Sequence, residues 1–258
     1  MRDLETGECM HPVVGPLVEA ERLYVGPSRL ASRLSETHEA GEPLALLEVG
    51  LGAGSNAVAA WKLSESLGES ARRLEIVSFD RSVAALELAL TEEHAADFGL
   101  DGDTGHAARN MLAARRFTTP RTIWRLAYGE LPETLAREPE GRADVVFWDP
   151  FSPRANPTLW SVSAFTTLRR ACRTGATVHT YSAATATRSA LLLAGFSVGV
   201  GDGIGDKEGT TVGAVDARDL TRPLDRRWLE RLSRSTAPFP SDAPPDAMAR
   251  ISGLPQFA

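Results

Sequence analysis

Between residues 44 and 217 the chain alternates short apolar, β-rich runs with helix-spaced patterns. This alternation constrains the fold more than any other feature. Strands separated by helices pair in parallel through right-handed crossovers, and helices must then cover both faces of the sheet. Strands are predicted at Leu44–Gly50, Leu74–Asp80, Thr122–Tyr128, Asp144–Asp149 and Ala176–Tyr181. Helices are predicted at Ser55–Leu67, Ser82–His94, Leu131–Arg137, Ser161–Cys172 and Ala184–Leu193. The stretch before Thr122 reads as a loop. Phe196–Val200 and Thr210–Val215 have no helix between them, which predicts a closing hairpin with one antiparallel strand. The expected fold is therefore a seven-stranded, mostly parallel α/β sheet over 44–217. Residues 1–43 form an N-terminal segment packing on it. Residues 218–258 read as an Arg- and Pro-rich surface appendage ending in a loose tail.

Composition narrows the setting. At 258 residues and 43% hydrophobic content the chain can bury a sizeable core. No run approaches about 18 apolar residues, so no transmembrane helix is expected. The start lacks a basic head and an apolar stretch, so it does not read as a secretory signal. Cys9 and Cys172 are too few for a disulfide framework or a zinc cluster, and a reducing cytoplasm is the expected setting. No metal is expected. The formal charge of −6 argues against nucleic-acid binding over the whole surface.

Glu48-Val-Gly50-Leu-Gly52-Ala-Gly54 follows the first strand and leads into a helix. Glycines there let the backbone turn sharply beside a ligand, and the helix start offers free N–H groups. A nicotinamide fingerprint needs G-x-G-x-x-G. Counted from Gly50 or from Gly52, that pattern fails at its last position, Ser55 or Ala57. Asp80 closes the second strand, where a carboxylate meets ribose hydroxyls in nucleotide-binding folds. Glu130 follows the third strand, beside an adenine in such folds. The ordinary alternative for each acid is a solvated turn residue.

Asp149-Pro150-Phe151-Ser152-Pro153-Arg154-Ala155-Asn156-Pro157-Thr158-Leu159-Trp160 follows the fourth strand, whose end faces the crevice of an open α/β sheet. Three prolines stiffen it. Asp149, Phe151, Asn156 and Trp160 bring a carboxylate, aromatic faces and an amide to one mouth, which suits an amine carried on a flat ring. The plain alternatives are a loop-bracing aspartate and core aromatics. Tyr181 and Ser182 end the fifth strand at the same mouth.

The hairpin-closed sheet resembles class I, Rossmann-like methyltransferases, and the E-x-G-x-G-x-G loop resembles their S-adenosyl-L-methionine loop. The D-x-F-x-P-x-x-N-P-x-x-W motif is more specific. It is similar to that of the tRNA wobble-uridine methyltransferases, the methyltransferase half of the bifunctional 5-methylaminomethyl-2-thiouridine enzyme and its free-standing relatives. Gly7–Pro12 with Glu19-Ala20, Leu51–Asn56, Thr180–Ala183 and Ala194-Gly195-Phe196 extend the likeness over most of the chain. The resemblance implies methylation of 5-aminomethyl-uridine 34, with the tRNA anticodon loop as partner. It implies Asp149 as catalytic residue and Phe151, Asn156, Trp160, Tyr181 and Lys207 at the substrate. Glu48, Gly50, Gly52, Gly54, Asn56, Asp80 and Glu130 fall at the cofactor.

Two positions depart from the family. Pro150 stands where glycine is common, and the family's basic run after strand six keeps only Lys207 in Gly203–Thr210. No FAD-dependent oxidase domain is expected within these 258 residues. Phosphate contacts would draw on Arg109, Arg115, Arg116, Arg121 and Arg125, or on Arg218, Arg222, Arg226, Arg227, Arg231 and Arg234. Two alternatives stay open. One is a small-amine N-methyltransferase or a spermidine-synthase-like aminopropyl transferase, which the net acidity suits. The other is a non-catalytic cofactor-binding module.

Overall fold

The computed structural model describes residues 15–36, 41–202 and 209–258. Its centre is an eight-stranded sheet in the order β3-β4-β2-β1-β5-β6-β8-β7. The strands are β1 (Leu44–Val49), β2 (Leu74–Asp80), β3 (Arg116–Thr118), β4 (Thr122–Tyr128), β5 (Ala143–Trp148), β6 (Cys172–Thr180), β7 (Ser197–Gly201) and β8 (Thr210–Ala214). Strands β4, β2, β1, β5 and β6 run parallel. Strand β8 lies antiparallel between β6 and β7. The class I methyltransferase sheet is therefore present, with eight strands instead of seven. The additional strand, β3, is a three-residue antiparallel edge on β4.

Neighbouring side chains on a strand point to opposite faces. Leu46, Ile76 and Trp124 face one core, and Leu47 and Val77 face the other. Because both faces are covered, β1 and β5 are buried at every position. One face carries α1 (Pro16–Ala20), a π-helical turn at Glu21–Val25, α2 (Leu30–Ser35), α3 (Ser55–Ser66), α4 (Ala84–Ala89) and α5 (Asp103–Ala114). The other carries α6 (Val162–Ala171), α7 (Thr185–Leu193), α8 (Arg226–Arg234) and α9 (Ala247–Ser252).

Three local expectations are corrected. The helix expected over 82–94 stops at Ala89, where Thr91 turns its hydroxyl onto the Leu88 carbonyl (2.8 Å) and the chain continues in turns. The segment read as a loop before Thr122 holds α5, whose buried face is built of Thr104, Ala107, Ala108 and Met111. Around Leu131–Arg137 only a 3-10 turn forms, at Leu135–Arg137.

The C-terminal residues are not a loose tail. Trp228 stacks on Phe257 with centroids 6.0 Å apart, and both are buried in the second core. The Gln256 side chain accepts from the Val198 N–H (2.8 Å) and donates to the carbonyls of Val198 and Leu224. The segment thereby covers the open edge of β7. Among the described residues no helix is long and apolar enough to cross a membrane.

Candidate active site

The parallel strands end along one rim, and the loops leaving them carry the chemistry. Gly50, Gly52 and Gly54 all have positive φ, at 90°, 51° and 84°. At Gly50 a side chain is excluded twice over. The conformation is left-handed, and a Cβ would lie 2.5 Å from the Asp149 carbonyl oxygen. The glycine loop and the strand β5 exit are therefore pressed together. The Asp149 N–H donates to the Val49 carbonyl (2.8 Å), extending the ladder one residue past β5.

The Asp149 carboxylate is held from two sides. The Asn56 amide, in the first turn of α3, donates to Oδ2 at 2.7 Å. The Tyr24 hydroxyl donates to Oδ1 at 2.5 Å. Tyr24 is 1% exposed, and its ring packs against Phe147 with centroids 5.3 Å apart. Burial and the facing Asp149 carboxylate push its phenol well above the ordinary tyrosine range, so it stays a donor. Sequence reasoning passed over Tyr24. Its only signal was a polar-tipped ring between Leu23 and Val25 in a chain with three tyrosines.

Asp80 sits where the sequence placed it, at the end of β2. Its carboxylate accepts from Gly52 N–H (3.2 Å) and Ser82 N–H (3.0 Å), so it meets the glycine loop directly. Burial raises its pKa despite these bonds. Glu130 stands farther out, well exposed, with the Arg81 guanidinium 3.7 Å away. It is a rim residue at the end of β4.

Glu48 does not face this mouth. It is fully buried on the α3 side of the sheet, and its two oxygens accept from Ala57 N–H (2.8 Å) and the Ser78 hydroxyl. Ser78 in turn accepts from Trp124 Nε1 (2.9 Å). Burial pushes the Glu48 carboxyl up to about 8. The residue braces the start of α3 from below.

The loop after Asp149 is tied to its surroundings. Tyr181 donates from its hydroxyl to the Pro150 carbonyl (3.0 Å), and Trp160 Nε1 donates to the Phe151 carbonyl (2.8 Å). Trp160 is buried, edge-on to Tyr181 and Phe165. It therefore helps to hold the loop's shape. Asn156, partly buried, accepts from the exposed Thr158 hydroxyl (3.0 Å) ahead of the 3-10 turn Pro157–Trp160. Phe151 is half-exposed and beside Asp149 in sequence. Lys207 lies outside the described residues.

Most of the arginines named above are engaged within the protein. Arg121 caps the carbonyls of Glu69, Ala71 and Arg72, and Arg125 pairs with Glu75 and Glu138. Arg218 and Arg222 pair with Asp216 and Asp202. Arg115 lies over the exposed Tyr128 ring, 4.4 Å from its centroid, at the same end of β4 as Glu130. A separate cleft of about 670 Å³ borders the β6–β7 side. It shares no residue with the group around Asp149. Its His179 is a buried imidazole pushed down to about 3, hence neutral. Among the described residues no cluster of His, Cys, Asp or Glu is arranged to hold a metal.

The rim offers polar groups suited to a nucleoside carrying an amino-acid tail. Ser55 Oγ and Asn56 Oδ1 are buried beside the glycine loop without a protein partner. Buried polar atoms of this kind call for a ligand or water partner.

The family model described as S-adenosyl-L-methionine-dependent methyltransferase matches residues 106–216. The tRNA 5-methylaminomethyl-2-thiouridine biosynthesis bifunctional protein MnmC of Methylibium petroleiphilum is 29% identical over 87% of this chain and 34% of its own length. That of Ralstonia nicotianae is 32% identical over 87% of this chain and 35% of its own. The chain thus spans about a third of the length of these relatives. The crystal structure of MnmC2 from Aquifex aeolicus superposes with a TM-score of 0.70 at 24% identity, covering 95% of this chain and 78% of that one. A spermidine synthase reaches 0.50 at 14% identity, over 93% and 73%. These two superpositions show the shared fold. With its glycine loop and its Asp80 and Asp149 rim, the chain is thus similar over residues 106–216 to S-adenosyl-L-methionine-dependent methyltransferases, and over 87% of its length to about a third of the MnmC proteins.

Proposed function

We propose that this chain methylates a primary amine on a wobble uridine of tRNA, converting a 5-aminomethyl side arm to 5-methylaminomethyl. The observation that carries the reading is the Asp149 carboxylate, fixed between Tyr24 and Asn56 at the strand β5 exit and pressed against the cofactor loop. The matched relatives support tRNA as the acceptor through what their names say of them.

Asp80, Ser55 and Asn56 would hold S-adenosyl-L-methionine along the glycine loop. When bound, the cofactor supplies a methyl group on a sulfonium sulfur. An alkylamine is mostly protonated near neutral pH and must lose a proton before its lone pair can attack. In this reading Asp149 binds the ammonium, orients it and takes that proton. The braced Pro150–Trp160 loop limits the ways the acceptor can enter, and the reaction benefits from such alignment. Phe151, half-exposed beside Asp149, offers a ring face to a splayed-out base. The cytoplasm, where tRNA resides, is the setting this reading requires.

The test is incubation with methyl-labelled S-adenosyl-L-methionine and tRNA carrying 5-aminomethyl-uridine, followed by nucleoside analysis. Label in the wobble nucleoside is expected. Label absent from tRNA but present on a small polyamine overturns the tRNA reading in favour of the small-amine one. That second reading draws on one observation, the engagement of most candidate phosphate-binding arginines by protein groups.

A further inference from the structure

We propose that Tyr24 is a positioning residue for methyl transfer: its hydroxyl, together with the Asn56 amide, holds the Asp149 carboxylate turned toward the acceptor amine. The inference rests on Asp149 handling the amine, as argued above.

Tyr24 stands 125 residues from Asp149 in sequence and belongs to neither the cofactor loop nor the loop after β5. It is delivered by the π-helical turn Glu21–Val25, which directs its ring onto Phe147 and its hydroxyl onto Oδ1. Single π turns are rare and recur at functional sites. A buried phenol needs one hydrogen-bond acceptor, and a backbone carbonyl would satisfy it. Here the acceptor is the carboxylate at the mouth. The 2.5 Å separation is that of a hydroxyl donating to a charged oxygen.

An ionised carboxylate has about four acceptor sites. Tyr24 donates to Oδ1 and Asn56 to Oδ2, which fixes the plane of the group at the mouth. An alkylammonium bound there gives a proton to an Asp149 oxygen as its N–H bond breaks. The nitrogen keeps the electron pair, and the proton then passes to water. Nearby, Tyr181 at the β6 exit interacts with Tyr24, and Glu48, below the loop, feels both the Asp149 and the Asp80 carboxylates. Glu48 is uncharged below about pH 8, so over that range it adds no repulsion to the carboxylate.

The experiment is Tyr24→Phe, which keeps the ring on Phe147 and removes only the donor. A hydrogen bond to a charged group predicts a roughly ten- to hundredfold fall in kcat, and an acid limb of the pH–rate profile raised by about one pH unit. Cofactor affinity is expected to stay within about twofold of wild type. A fall in kcat with an unmoved limb overturns the proposal, since lost packing alone would do that. If the variant does not fold, 3-fluorotyrosine at position 24 serves instead. Its more acidic phenol is a stronger donor, so the limb must move to lower pH, and an unchanged limb overturns the proposal.

A carboxyl-¹³C titration of Asp149 in the cofactor-free protein needs no acceptor. Its midpoint is expected to rise in Tyr24→Phe, and coincident midpoints overturn the proposal. This readout still decides the role of Tyr24 if the wild-type protein leaves tRNA unlabelled, so the two readings fail separately.

Discussion

Four carboxyl-bearing residues at the strand ends have been sorted into different duties by where their strands point. Asp149 and Asp80 reach the rim, Glu130 stands in solvent, and Glu48 is buried beneath the loop. The strand alternation already held the answer for Glu48. It lies two residues from Leu46, hence on the same face, toward α3. Its carboxyl titrates near 8 in the folded protein against an ordinary value of 4.5, so the folded state holds a proton that the unfolded chain has lost. The sign follows from linkage. This contribution to stability is fully present below about pH 4.5 and is lost as pH rises through about 8, at no more than about 1.4 kcal/mol per pH unit. Glu48→Gln is expected to flatten the fall in Tm between pH 5 and pH 8. An unchanged slope in thermal melts across that range would contradict the assignment.

At the scale of elements, the apolar runs of β1, β2, β4 and β5 were legible because buried parallel strands are apolar at nearly every position. Helix α5 was not, because its buried face is made of Ala, Gly and Thr with one Met, which leaves little apolar periodicity. The rigid loop was legible in its prolines. The part Trp160 plays in it was not, since only the folded contacts show its buried indole tied to the Phe151 carbonyl. The loop ends at Ser161, whose hydroxyl accepts from Ala164 N–H (3.1 Å) and caps α6. Asp242 accepts from the N–H groups of Val162 and Ser163 at the same helix start. Ser161→Ala should cost about 1 kcal/mol in denaturant unfolding while kcat changes less than about threefold. A large loss of turnover at that small stability cost would assign Ser161 to the chemistry.

Across the whole molecule, the N-terminal and C-terminal segments complete opposite faces of one sheet. The first brings Tyr24 to the site, a contact no local pattern could announce across 125 residues. The second closes the β7 edge through Gln256 and the Trp228–Phe257 stack. Away from the mouth many acids are paired with arginines, and these pairs leave the net charge of −6 unchanged. The account's central claim is that Asp149 serves the acceptor amine and not the cofactor. Asp149→Asn tests it most directly, with S-adenosyl-L-methionine binding measured by calorimetry and methyl transfer by label incorporation. The account predicts cofactor affinity within about threefold of wild type and turnover reduced by at least about a hundredfold, the scale of general acid–base contributions. Wild-type turnover in this variant would contradict it.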